Sequence, residues 1–223
     1  MAVRGRKIIK TSSALGRMVH LDAFTIGSGS PRTTVVMFGG SGMTRGDYER
    51  RAESVVPVFD QDLAKLEAEG RQMAFLFISA PWDLSFSDVV NDSATNARWR
   101  RHVELDIMSE VETEDAYGCA YSGGAALLLS GAHEFMSGAT TLGADLLPED
   151  FKQPVGWQSP LIAIYNLADP LFAANRSALE QLVDAGDARL LRKLPGTHAF
   201  IDYISNGTWA GVLRRAWQES KVG

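Results

Sequence analysis

The chain is expected to fold as an α/β protein: a mostly parallel, twisted sheet with helices on both faces and an antiparallel N-terminal edge. Two observations lead there. Short β-branched and apolar runs, such as Thr33 to Phe38 and Met73 to Ile78, alternate with longer segments of helical composition. Such runs suit strands buried on both faces, and their alternation with helices builds right-handed βαβ units. The N-terminal residues instead hold two alternating segments joined by a glycine-containing turn, which suits a hairpin rather than a crossover.

The elements follow in order. Lys7 to Thr11 and Leu21 to Ile26 are the edge strands, punctuated by Gly27-Ser28-Gly29-Ser30-Pro31. Thr33 to Phe38 is a buried strand ending in the flexible turn Gly39 to Gly42. A helical region covers Asp47 to Glu69, broken or kinked at Pro57. Met73 to Ile78 is the next strand, and its exit loop carries Trp82. A helix is expected from Asn96 to Glu112, then a strand from Asp115 to Tyr121 and a helix from Gly124 to Phe135. Ala139 to Leu142 makes a short strand, and Pro160 to Leu167 a buried one. A helix from Ala173 to Ala185, a strand from Arg189 to Leu194 and a helical region after His198 complete the pattern.

At 223 residues the chain suits one domain, 1–223, with a real core; two would be cramped. Hydrophobic residues are 45% and charged residues 22%, an ordinary globular balance. Net charge is −5. The basic tract Arg98-Trp99-Arg100-Arg101 reads as the solvated face of a helix rather than a phosphate patch, balanced by Glu104, Asp106, Glu110 and Glu112. Nucleic acid is not an expected partner. No apolar run is long enough to span a bilayer, and no signal-peptide core follows the basic N-terminus. Cys119 is the only cysteine, so no intrachain disulfide is possible and a cytoplasmic location fits. Cys119 itself reads as a small buried strand residue in preference to a redox-sensitive thiol. No metal-ligand spacing is visible, and no cofactor or metal is expected.

The most informative segment is Ala120-Tyr121-Ser122-Gly123-Gly124. A strand leads into the serine, a helix-forming run leaves it, and small residues flank it two positions away on either side. That is the layout of a nucleophile elbow, although Ala120 replaces the commoner glycine. Taken alone, the segment is equally a structural turn. Two further candidates raise its meaning. Asp169 ends a buried strand, and His198 follows another strand and a Pro-Gly turn. All three stand just past the C-terminal ends of expected strands, the edge where ligands gather in open parallel sheets.

Four pieces together, Phe38-Gly39-Gly40-Ser41-Gly42, the Ser122 segment, Leu167-Ala168-Asp169-Pro170 and Gly196-Thr197-His198-Ala199-Phe200, resemble the α/β-hydrolase family. They span about residue 33 to about residue 205. The resemblance implies an α/β-hydrolase fold with Ser122 as nucleophile, His198 as general base and Asp169 as its partner. Phe38 stands where many members have histidine, and Thr197 where many have glycine. The Gly123 N–H is one oxyanion donor, and Gly40 or Ser41 the second. Asp145, one strand earlier, is the alternative acid to Asp169. Trp82, Tyr121 and Trp157 are the expected substrate-contact residues, with packing as the plainer reading of the two tryptophans. Only about sixteen residues, Ala144 to Ser159, are available for a lid, so the site is expected to be open and shallow. His20, His102 and His133 read as surface or capping residues, and Asp202 as a solvent-facing or turn-capping group.

The implied function is a serine hydrolase that cleaves an ester or thioester through an acyl-serine. Acyl transfer, or release of a carrier-bound acyl chain in a biosynthetic pathway, uses the same groups. A non-catalytic small-molecule receptor on the same fold is the reading from another class.

Overall fold

The computed structural model describes residues 4–26, 30–40, 64–78, 89, 92–144, 161–172 and 188–219. Its frame is an eight-stranded sheet with the order β1-β2-β4-β3-β5-β6-β7-β8. The strands are β1 (Arg4–Ser12), β2 (Arg17–Ile26), β3 (Thr33–Phe38), β4 (Met73–Ile78), β5 (Ala116–Tyr121), β6 (Gly138–Leu142), β7 (Leu161–Asn166) and β8 (Ala188–Leu194). β1 and β2 form the expected hairpin, and β2 joins β4 antiparallel. From β4 through β8 every neighbouring pair is parallel.

Register sets the functional edge. Phe38 pairs with Ala120, Tyr121 with Leu142 and Asn166 with Leu194. The last residues of β3, β5, β6, β7 and β8 therefore share one rim of the sheet. The loops that leave this rim carry Gly39-Gly40, Ser122, Gly143, Asp169 and His198.

Both faces are covered, as the continuous apolar runs require. On one face Val36, Phe38 and Ala120 pack with Trp99, Val103 and Ile107. The Trp99 indole N–H donates to the Leu127 carbonyl at 2.9 Å, so this large side chain is buried without an orphaned donor. On the other face Val35, Met37, Tyr117 and Cys119 pack with Trp209, Val212, Leu213 and Ala216. Those four come from one stripe of a C-terminal helix.

The helices depart from expectation in instructive ways. The helix expected from Asn96 begins earlier, as α1 (Ser93–His102), because Asp92 caps it by accepting from the Thr95 N–H at 2.8 Å. It then widens into a π-helical segment, Val103–Ile107, and ends in a 3₁₀ turn, Met108–Glu110. The helix expected from Gly124 to Phe135 divides into α2 (Gly124–Leu129) and a 3₁₀ turn, Ala132–Phe135. Gly131 separates them in a left-handed conformation. The chain closes with α3 (Phe200–Ser205) and α4 (Thr208–Glu219). Of the expected helix from Asp47 to Glu69, residues 64–68 are helical; its earlier part and the whole of the helix expected from Ala173 to Ala185 lie outside the described residues.

Two expectations about α1 and its extension are corrected. Asp106 is not on the solvated face, and His102 is not a surface residue: both are buried. His102 Nδ1 lies 2.7 Å from Asp106 Oδ2, and the Ser12 hydroxyl donates to that same oxygen at 2.5 Å. The cluster ties the end of β1 to the π-helical segment. Arg100, in turn, pairs with Glu134 rather than with the acids of its own helix. Among the described residues no helix is long and apolar enough to cross a membrane.

Candidate active site

Ser122 ends β5 in a sharp turn. Its φ is +52°, and it is the one non-glycine residue with positive φ among those described. A serine held in the left-handed region is strained, and such strain gathers at functional sites. The surroundings enforce it. The Ser122 N–H donates to the Leu142 carbonyl at 3.0 Å, and its carbonyl accepts from the Ala125 N–H at 3.1 Å. The start of the exit helix lies so close to the end of the neighbouring strand β3 that a Cβ at Gly124 would overlap the carbonyl oxygens of Phe38 and Gly39. On the other arm Ala120 is fully buried. Gly124 therefore leaves no room for a side chain after the serine, and Ala120 before it is closed in by the core.

The structure brings the three candidates together across long separations of sequence. His198 Nε2 lies 3.1 Å from Ser122 Oγ, and His198 Nδ1 lies 2.9 Å from Asp169 Oδ2. With Nδ1 protonated, the imidazole donates to the carboxylate and leaves Nε2 to accept the serine proton. The Asp169 side chain is wholly buried, whereas that of His198 is 30% exposed, so the histidine can reach a ligand and the aspartate cannot. The buried carboxylate is supplied with donors. Oδ1 accepts from the Leu171 N–H at 2.9 Å, and Oδ2 also accepts from the Tyr203 hydroxyl at 2.8 Å.

A second layer holds the histidine loop. Asn166, at the end of β7, donates through Nδ2 to the Thr197 carbonyl at 2.8 Å and accepts from Asn206 Nδ2 at 2.9 Å. Asp202 accepts from both the Thr197 N–H and its hydroxyl at 2.7 Å, which confirms it as a turn-capping group. These hydrogen bonds, the hydroxyl's first, hold the Asp202 carboxyl below its ordinary value. Thr197, the departure from the commoner glycine, thus earns its place through its hydroxyl, which also accepts from the Ala199 N–H at 3.1 Å. Phe38, the other departure, is buried edge-on against Trp99 at 6.2 Å between ring centroids.

Tyr121 packs against the histidine loop. Its ring stacks on the His198 imidazole at 5.2 Å, and its hydroxyl donates to the His198 carbonyl at 2.6 Å. It is buried, with its polar tip committed to the loop. Gly40 sits against the elbow: a Cβ there would lie 3.3 Å from Ser122 Cβ and 3.3 Å from the Tyr121 ring. Gly123 is the N-cap of α2, so its N–H is among the first donors of that helix. Ser41, Trp82, Asp145 and Trp157 lie outside the described residues, as does the expected short lid segment beyond Ala144. Among the described residues no cluster of potential metal ligands is present.

Sequence reasoning missed Tyr203, Asn166 and Gly143. Gly143 has φ +51°, and a Cβ there would lie 2.6 Å from Asp169 Oδ2, 2.7 Å from the Tyr203 hydroxyl and 3.0 Å from His198 Nδ1. The only available signal was a lone glycine directly after a short strand, and nothing in the sequence tied it to residues so far downstream.

No family model and no curated relative matches this chain. Solved structures do resemble it. The S-formylglutathione hydrolase of Agrobacterium tumefaciens superposes with a TM-score of 0.71 at 10% identity, over 98% of this chain and 96% of that one. The fluorophosphonate-binding serine hydrolase F of Staphylococcus aureus gives 0.68 at 12% identity, over the whole of both chains. The enterochelin esterase of Shigella flexneri gives 0.69 at 17% identity, over 96% of this chain and 58% of that one. Identities so low speak to fold, and with the sheet order and elbow described above they establish it: this chain has the α/β-hydrolase fold.

Proposed function

We propose that the protein is a serine hydrolase acting on a small ester or thioester through an acyl-serine intermediate. The observation that carries the reading is the strained Ser122, hydrogen-bonded in line to His198 and through it to the buried Asp169. Serine is a poor nucleophile at neutral pH. His198 Nε2 takes its proton as Oγ attacks the substrate carbonyl, and returns that proton to the leaving alcohol or thiol. Asp169 holds the ring in the tautomer that leaves Nε2 free and stabilises the imidazolium that forms. Water, activated by the same nitrogen, then resolves the acyl-enzyme.

The oxyanion of each tetrahedral intermediate is met by the Gly123 N–H and by a second donor from the Gly40-Ser41 turn. Glycine at 40 lets that backbone approach Ser122 closely. Such a donor contributes roughly 3 kcal/mol to the transition state. Both substrate classes find support among the structural neighbours, one named for a thioester and one an esterase by name. A cytoplasmic location and a site with little or no lid belong to the same reading.

The test is covalent labelling. A fluorophosphonate should give one adduct on Ser122 by mass spectrometry, and S122A should give none while keeping its thermal stability. Alanine fits the crowded elbow, so loss of labelling would reflect the missing hydroxyl. An adduct on another serine, or hydrolysis of p-nitrophenyl acetate undiminished in S122A, would overturn the assignment.

A further inference from the structure

We infer that Tyr203 is a positioning residue of the reaction, a fixed hydrogen-bond donor that shares the Asp169 carboxylate with His198 and so tempers the basicity of the histidine. The inference rests on the reading of Ser122, His198 and Asp169 as a working triad.

The geometry is directional. The Asn166 N–H points at the Tyr203 hydroxyl oxygen at 3.3 Å, and that oxygen lies 2.8 Å from Asp169 Oδ2. An oxygen that accepts from a backbone N–H must turn its own proton elsewhere, and the carboxylate is the acceptor it meets. Oδ2 is also the atom that His198 Nδ1 addresses, at 2.9 Å. Phenol and imidazole therefore compete for the same oxygen.

Tyr203 is fully buried, so water cannot replace the phenol. Burial first, and the neighbouring carboxylate second, push its pKa well above the ordinary phenol value. It stays a protonated donor at any working pH. The titratable groups beside it are Asp169 on the loop after β7, His198 on the loop after β8 and Tyr121 on β5, whose ring meets that of Tyr203 edge-on at 6.4 Å. Gly143 lies against all three groups, and its missing side chain is what lets the phenol, carboxylate and imidazole converge.

The chemical effect has a sign. A donor on Oδ2 draws charge from the carboxylate, which weakens its pull on the imidazolium. Removing that donor leaves His198 as the stronger suitor of Oδ2, favours the imidazolium and moves the acid limb of kcat/KM to higher pH. It also frees the carboxylate to rotate away from the line that holds the imidazole. One charge-assisted hydrogen bond corresponds to roughly a tenfold effect or somewhat more on kcat.

The experiment compares wild type with Y203F, both normalised to active sites titrated with a fluorophosphonate. The expected result is an acid limb of kcat/KM displaced upward by about 0.5–1 pH unit, with kcat lowered and KM little changed. A purely structural tyrosine would lower the titrated fraction and leave the profile of the remaining sites in place. Should Y203F fail to fold, 3-fluorotyrosine at position 203 keeps the ring and strengthens the donor, and the limb should move to lower pH. An unmoved limb in the variant that folds, with Ser122 still labelled, overturns this inference alone. Failure of wild-type Ser122 to label overturns it together with the triad reading.

Discussion

At the scale of single residues, the site depends on groups that do no chemistry themselves. Gly143 is the sharpest case, because its φ is +51° and any Cβ would press on Asp169, Tyr203 and His198 at once. G143A should lower kcat by about a hundredfold, the size of effect that misplacing a catalytic group by about 1 Å produces. Steady-state kinetics beside a far-UV circular dichroism spectrum checks this, and an active G143A would show that the wall has room to give. The meeting of Ser122, Asp169 and His198, the proposed reacting residues, was legible in the sequence, because each follows a strand end and the elbow needs small neighbours. Their supports were not. Nothing local links Asn166 to Thr197 or Tyr203 to Asp169; those pairings exist only once strands separated in sequence lie side by side. His102 shows the converse error, since a charged neighbourhood in sequence concealed a buried ring.

At the scale of elements, the Ser12–His102–Asp106 cluster locks the N-terminal hairpin onto the extension of α1. Burial lowers the pKa of the His102 imidazole, outweighing the pull of Asp106. Burial would raise the Asp106 carboxyl, but hydrogen bonds from Ser12 and His102 hold it below its ordinary value. The half-buried His133 is also lowered, again by burial first. A histidine whose folded-state value is depressed is bound by more protons when unfolded. Its share of stability is complete above the unfolded value, about 6.5, and is lost as pH falls below it. Asp106 adds the same sign at lower pH, below about 3.9. Stability should therefore fall as pH drops below about 6.5, by up to roughly 1.4 kcal/mol per pH unit for each histidine, and the thermal midpoint should fall with it. H102Q, which keeps a donor for Asp106 but no titrating ring, should flatten that fall and leave the His133 share. Scanning calorimetry across the range checks it, and an equal slope in H102Q would remove His102 as the cause. The cluster was invisible beforehand because Ser12 lies 90 and 94 positions from His102 and Asp106 along the chain.

At the scale of the whole molecule, most of the architecture could be read in advance, because buried parallel strands leave continuous apolar runs that punctuation by glycine and proline separates cleanly. The changes of helical pitch after His102 and at Gly131 could not, since the same side chains fit an α-helix until the sheet decides which ones turn inward. The sheet also separates two events in time. Cys119 and Ser122 stand three positions apart on one strand and its turn, yet they register different stages of folding. The Cys119 thiol is fully buried, and burial raises it well above its ordinary value, so alkylation stops once β5 is covered. On the proposed reading Ser122 becomes reactive only when β8 has delivered His198, 76 positions further along the chain, and β7 has delivered Asp169, 29 positions before that histidine. Long-range parallel pairing is slow, and chains of this size commonly pass through partly packed intermediates. In a refolding time course, protection of Cys119 from iodoacetamide should therefore precede capture of Ser122 by a fluorophosphonate. Simultaneous appearance would mean that the sheet closes in one step. If the order holds, one strand of this molecule carries two chemical clocks, the first timing the closing of the core and the second the arrival of a working site.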